Sequence, residues 1–167
     1  MRYGQIRKLD IANGPGVRTS VFVTGCSLNC KGCFNKEYQN KLAGKEWTKK
    51  QEDLVVSFLK LNYVNGLSIL GGEPLEQDEF LLNLLKRVKK EVKKTIWLWS
   101  GYCFENLNQA QKNLLNFVDV LVDGPFILSK KNLNLKFRGS SNQRIINLNK
   151  TKSSGKICLW NELKKEE

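Results

Sequence analysis

The sequence predicts an α/β fold, an incomplete parallel β/α barrel, on three grounds. Short runs rich in β-branched and aromatic residues alternate with longer runs of helical periodicity, the pattern of a parallel sheet with right-handed crossovers. The chain has 167 residues, whereas a complete eight-unit barrel takes about 250. The residue clusters that carry chemistry all follow predicted strands, the edge where ligands gather in parallel sheets.

The elements follow in order. Tyr3 to Ile11 begins extended, and Asn13-Gly14-Pro15-Gly16 forces a turn. Thr19 to Thr24 reads as a strand leading into a cysteine loop. Thr48 and Gln51 have the spacing of a capping box, and Leu54, Val55, Phe58 and Leu59 form one apolar helix face. Leu67 to Leu70 is a short buried strand ending at Gly71-Gly72-Glu73-Pro74. Phe80, Leu81, Leu84, Leu85, Val88 and Val92 trace a long amphipathic helix. Thr95 to Trp99 is the next strand; Leu107, Ala110, Leu114 and Leu115 mark a helix; Val118 to Val122 is a strand ending at Asp123-Gly124-Pro125. Trp97 and Trp99 alternate with Ile96 and Leu98, which makes core packing the default for both.

One domain with its own core accounts for a chain of this length, with no linker or repeat to divide it. No apolar run approaches the roughly 20 residues of a membrane span, and Met1 to Gln5 lacks a secretory h-region. The expectation is a cytoplasmic, reducing setting, where clustered cysteines bind metal or do chemistry more often than they form disulfides. The formal charge is +12. Much of it lies in Lys86-Arg87-Val88-Lys89-Lys90 and Lys93-Lys94, with no aromatic residues interleaved as a base-stacking groove requires. A solvated helix face is the favoured reading, ahead of an acidic protein partner, with nucleic acid third.

Cys26, Cys30 and Cys33 are the centre of the argument. They lie close together in sequence, while Cys103 and Cys158 are remote and the chain has no histidine. A closed zinc site takes four ligands. Three sulfurs with no fourth nearby suit a four-iron cluster in which protein holds three irons and the last binds a small molecule. The structural alternative is a zinc knuckle completed by Cys103 or Cys158, in a non-catalytic metal-binding module. Ser100, just past a strand, is a ligand candidate through its hydroxyl. Arg18 is expected to pair with a carboxylate, and Asp123 either to accept hydrogen bonds at the barrel mouth or to cap the turn after it.

The Cys-x3-Cys-x2-Cys loop, followed by Gly71-Gly72-Glu73-Pro74 after a strand, resembles the radical S-adenosylmethionine enzymes. Asn13-Gly-Pro-Gly-Val-Arg18, Gly25-Cys26, Lys31-Gly-Cys-Phe-Asn35, Trp99-Ser-Gly-Tyr102, Val122-Asp-Gly124 and Arg138-Gly-Ser-Ser-Asn-Gln143 occur in that order. Together they resemble the activating proteins of anaerobic (class III) ribonucleoside-triphosphate reductase. The resemblance covers about residues 3 to 148, leaving a C-terminal extension over 149–167. It implies an incomplete barrel of the radical S-adenosylmethionine type.

It also implies a 4Fe-4S cluster on Cys26, Cys30 and Cys33, with the methionyl group of S-adenosylmethionine on the vacant iron. Reductive cleavage would give a 5′-deoxyadenosyl radical, which takes hydrogen from a glycine of the reductase large subunit. A flavodoxin-like or other low-potential donor would supply the electron. Gly71 and Gly72 would let the cofactor approach the backbone, Glu73 would meet its ammonium, and Gly32 and Phe34 would line it from the cysteine loop. Gly32 stands where the wider superfamily often has an aromatic residue. The loop from Arg138 to Gln143 is either an ordinary surface loop or a site-closing, partner-facing one. The rival enzyme reading is an activase of the pyruvate formate-lyase type.

Overall fold

The computed structural model describes residues 1–77 and 79–161. Residues 162–167 of the expected C-terminal extension lie outside the described residues. In chain order the elements are β1 (Arg2–Asp10), β2 (Arg18–Val23), β3 (Lys45–Glu46), α1 (Lys49–Leu59), β4 (Gly66–Gly71), α2 (Glu79–Glu91), β5 (Thr95–Trp99), α3 (Gln109–Leu115), β6 (Val120–Asp123), β7 (Arg144–Asn147) and α4 (Leu148–Ser154). They form a mixed α/β fold on one seven-stranded sheet, in the order β3-β1-β2-β4-β5-β6-β7.

Strands β2, β4, β5 and β6 are parallel neighbours joined through α1, α2 and α3. The all-parallel expectation holds only for this centre. β1 pairs antiparallel with β2, β3 with β1, and β7 with β6. The physical reason lies in the connections. The turn between β1 and β2 is too short for a crossover, so the chain doubles back. The segment between β6 and β7 holds a single 3-10 turn, Leu128–Lys130, and no crossover helix.

The pleat separates the two faces of the sheet. Val21, Val23, Leu67, Ile69, Ile96, Leu98, Leu121 and Ile146 share one core with Leu59, Leu84 and Leu115 of the helices. On the opposite face, Trp97, Val120 and Val122 pack with Phe137, Ile145 and Trp160. Trp97 is thus a core residue, as expected.

Local chemistry starts two of the helices. Thr48 and Gln51 form the expected capping box, and Asn108 and Gln111 form a second at the head of α3. The buried stripes are narrower than the apolar patterns. Leu54 and Phe80 are each 42 % exposed, and Val56 is buried instead, because adjacent helical positions point about 100° apart. Val118 belongs to the turn after α3, its N–H donating to Leu115 O at 3.1 Å, so β6 begins two residues later than expected.

Arg18 departs from its expected carboxylate partner. It is 1 % exposed, at the N-terminal ends of the parallel strands. Nε donates to Ser68 Oγ (2.7 Å), Nη2 to both Leu67 O (2.8 Å) and Thr95 O (3.1 Å), and Nη1 to Thr95 Oγ1 (3.2 Å). Burial pulls the guanidinium down to about 10, with Asp119 and Asp10 opposing from a distance. Backbone carbonyls along strands β4 and β5 provide acceptors where no carboxylate reaches.

The basic run is partly paired within the fold, while Lys86, Lys90 and Lys93 are exposed, as a solvated face requires. Arg87 bonds Glu52 (2.9 Å) and Glu91 (2.8 Å), and Lys89 meets Asp119 at 2.5 Å. Among the described residues no helix is long and apolar enough to cross a membrane.

Candidate functional site

The cysteine loop is closed at its base by backbone hydrogen bonds. Gly25 N–H donates to Tyr38 O (2.8 Å) and Cys26 N–H to Gln39 O (3.0 Å). Inside it, Cys33 N–H donates to Cys30 O at 3.2 Å, and Asn35 N–H points at Cys33 Sγ at 3.4 Å. The glycine turn after β4 docks onto this base, with Gly72 N–H on Val23 O and Glu73 N–H on Gly25 O, both at 2.8 Å. Asn35 Nδ2 completes the seam by donating to Gly71 O at 3.2 Å.

The glycines therefore serve this docking. Gly71 has φ +111°, and a Cβ there would stand 2.5 Å from Val23 O. A Cβ on Gly72 would stand 2.5 Å from Gly25 O and 2.8 Å from Tyr38 O. The backbone that approaches them closely is the protein's own.

A cavity of about 590 Å³ opens along the helix-free face at the C-terminal ends of the parallel strands. Cys26, Cys30, Cys33, Phe34, Gly71, Gly72, Glu73 and Ser100 all line it. Gly32 is not among the lining residues; its φ of +72° favours glycine in this turn, and a Cβ would meet the Leu128 side chain, Cδ1 at 2.9 Å. Cys103 and Cys158 do not line the cavity.

Glu73 is 1 % exposed. Its Oε1 accepts Leu75 N–H (2.9 Å) and its Oε2 accepts Gly101 N–H (2.8 Å). The carboxylate thus ties the end of β4 to the loop after β5. Burial pushes this carboxyl up to about 7, while the hydrogen bonds from Leu75, Gly101 and Ser100 pull the other way. Ser100 is buried, and its Oγ accepts Tyr102 N–H at 3.0 Å. Phe34 is 52 % exposed, with its ring centre 4.9 Å from that of Phe126 and the Lys131 ammonium 5.0 Å over its face.

Asp123 is wholly buried and does not line the cavity. It accepts Arg144 Nε (2.9 Å) and Phe104 N–H (2.9 Å), and Arg144 also clasps Glu105 with two bonds of 2.8 Å. Of the two expected roles it takes the first in part: it accepts hydrogen bonds at the C-terminal end of β6, but from within the fold, fastening β6 to β7 and to the loop after β5. The loop over Arg138 to Gln143 does contribute to the cavity, through Arg138, Gly139 and Gln143.

Sequence reasoning missed several lining residues, among them Arg7, Phe126, Leu133, Phe137 and Trp99. Trp99 Nε1 donates to Phe137 O at 2.7 Å, and Phe137 has φ +58°. The alternation along β5 puts Trp97 and Trp99 on one face, but it carries no signal that this face turns from core to cavity along the strand.

Comparison with known proteins follows the same lines. A family model described as a 4Fe-4S single cluster domain matches residues 12–146. Proteins named anaerobic ribonucleoside-triphosphate reductase-activating protein are similar over nearly their whole length. That of Vibrio cholerae serotype O1 is 41 % identical over 150 residues, covering 87 % of this chain and 97 % of the relative. That of Escherichia coli K12 is 39 % identical over 153 residues, covering 89 % and 99 %. That of Enterobacteria phage T4 is 41 % identical over 150 residues, covering 87 % and 93 %.

The chain belongs to the anaerobic ribonucleoside-triphosphate reductase-activating protein family.

Members of the 4Fe-4S single cluster family need sulfur donors, and the cavity offers a set that fits. Three cysteines face one chamber, and one sulfur receives a backbone N–H, the kind of hydrogen bond that tunes cluster potential. Among the described residues no three Cys, His, Asp or Glu side chains gather as ligands of a single metal ion. In this reductase-activating family the cavity also needs room beside the metal, and the face lined by Phe34, Leu70 and Trp99 provides it.

Proposed function

We propose that this chain is a radical S-adenosylmethionine enzyme that installs a glycyl radical on the large subunit of anaerobic ribonucleoside-triphosphate reductase. Cys26, Cys30 and Cys33 would hold three irons of a 4Fe-4S cluster, with S-adenosylmethionine bound beside them. When bound, the cluster supplies the electron that cleaves the cofactor's sulfonium C–S bond, so that the resulting radical can remove hydrogen from the partner's glycine. The observation that carries this reading is the meeting of the cysteine loop, the glycine turn and Ser100 around one chamber at adjacent strand ends.

The chain's own groups have defined tasks in it. Gly71 and Gly72 keep the glycine turn pressed against the base of the cysteine loop. The Glu73 carboxylate, held between two N–H groups, would meet the cofactor's ammonium; Ser100 would contribute a hydroxyl and Phe34 an apolar face. Cys33, the third ligand, keeps its Asn35 N–H contact. No side chain beyond these is needed as acid or base.

The consecutive parallel order β2-β4-β5-β6, each pair bridged by a helix, supports an arc of β/α barrel that does not close, extended by antiparallel strands to edges at β3 and β7. That opening admits a glycine-bearing loop of the partner. One sheet and one main core shared by the described elements support reading the chain as a single domain. A flavodoxin-like protein or another low-potential donor supplies electrons. Five free cysteines suit the reducing cytoplasm, and the pairing of Arg87 and Lys89 within the fold argues against a nucleic-acid face.

The test is anaerobic iron–sulfide reconstitution followed by reduction with S-adenosylmethionine and the candidate large subunit. Electron paramagnetic resonance should show a carbon-centred glycyl signal. A reconstituted enzyme that cleaves S-adenosylmethionine but leaves the reductase without this signal overturns the assignment of partner. Cys30→Ala should be folded yet unable to cleave the cofactor, and near-normal cleavage by it overturns the ligand assignment.

A further inference from the structure

The turn from Gly71 to Glu76 carries two carboxylates, and only Glu73 belongs to the cavity. Glu76 lies on the outer side of the 3-10 turn Pro74–Glu76. Its two carboxylate oxygens accept the Ser27 N–H at 3.2 and 3.0 Å. Oε1 also accepts the Ser27 hydroxyl and, at 2.8 Å, the Tyr102 hydroxyl. Ser27 directly follows Cys26, and Tyr102 directly follows Gly101, which Glu73 already holds. One side chain thus grips the first corner of the cysteine loop and the loop after β5 together.

The fold itself does not call for this grip. Ser27 is exposed, and the 3-10 turn is already capped by Glu73 through Leu75 N–H. Hydrogen bonds to a charged acceptor are stronger than neutral ones, and several on one carboxylate fix a loop that has few apolar anchors of its own.

We propose that Glu76 is a positioning residue for the metal centre: it orders the Cys26 corner of the loop before metal arrives and fixes a negative charge beside it afterwards. The inference rests on Cys26 being a cluster ligand. A fixed anion near a redox centre disfavours the added electron, so Glu76 holds the cluster potential lower than it would otherwise be.

Two measurements test it. Hydrogen exchange at the Ser27 amide of the full chain before iron loading reads the ordering. In Glu76→Ala it should speed up by about tenfold or more, the loss of a charge-assisted bond. In Glu76→Gln, which keeps one acceptor oxygen, it should stay within about threefold of wild type. After reconstitution, a potentiometric titration should place the midpoint potential of both variants at less negative values than wild type. Unchanged Ser27 exchange in Glu76→Ala, or a wild-type potential in Glu76→Gln, overturns the proposal. A wild-type chain that takes up no iron would overturn the cluster reading instead, and the exchange result then decides the ordering by itself.

Discussion

Gly72 shows how a residue's type can be right for a reason its motif does not disclose. A Cβ would press on carbonyls of both Gly25 and Tyr38, and backbone atoms cannot swing aside as a side chain can. Gly72→Ala should therefore lower thermal stability and leave the cysteine loop displaced, seen as faster exchange at Gly25 and Cys26. Unchanged exchange there would mean the seam is looser than these distances imply. Glu73 gives a pH signature. Its folded pKa of about 7 lies above the ordinary 4.5, so its contribution to stability is complete below about pH 4.5 and is lost as pH rises through 7, by roughly 3 kcal/mol. Denaturant unfolding from pH 4.5 to 8 should show this decline, and Glu73→Gln should flatten it. That the three cysteines, the two glycines and Glu73 would meet at one cavity was legible because the cysteine spacing and the glycine turn each directly follow a strand. Arg7, Leu133 and Phe137 were not, since an arginine or an apolar residue at a cavity wall is indistinguishable in sequence from one on a surface or in a core.

At the scale of elements, the parallel centre was legible because each strand–helix pair carries its own period and its own terminator. The capping box at Thr48 is a local signal that survives into the structure intact. The antiparallel flanks were not legible. β7 is four residues, Arg144–Asn147, too few for a reliable alternation, and its pairing with β6 depends on a contact distant in sequence. That contact is the Arg144 bridge to buried Asp123 and to Glu105. Arg144→Ala would leave the Asp123 carboxylate buried without its cation, at a cost of roughly 2–4 kcal/mol, less than for a fully enclosed pair because Arg144 is one-third exposed. The midpoint of urea unfolding measures this. Arg144→Lys should recover only part of the loss, because one ammonium cannot satisfy both carboxylates in the forked geometry.

Across the whole molecule, the site draws on segments far apart in sequence: the loop after β2, the turn after β4, the loop after β5 and the segment between β6 and β7. Metal binding by such a site is linked to global stability. Anaerobic reconstitution should raise the unfolding temperature of the wild-type chain, and Cys33→Ala should abolish the gain; an equal gain in that variant would place the metal elsewhere. The overall chain order was readable because consecutive parallel strands lie side by side, whereas the way residues 126–143 cross the open face was not, having no period to announce it. That crossing is pinned where the Phe137 carbonyl receives the Trp99 indole N–H at 2.7 Å. An indole that both lines the chamber and is tied to the strap above it turns ultraviolet emission into a gauge: the difference in emission between the wild-type chain and Trp99→Phe will register whether the strap is seated when cofactor or partner enters.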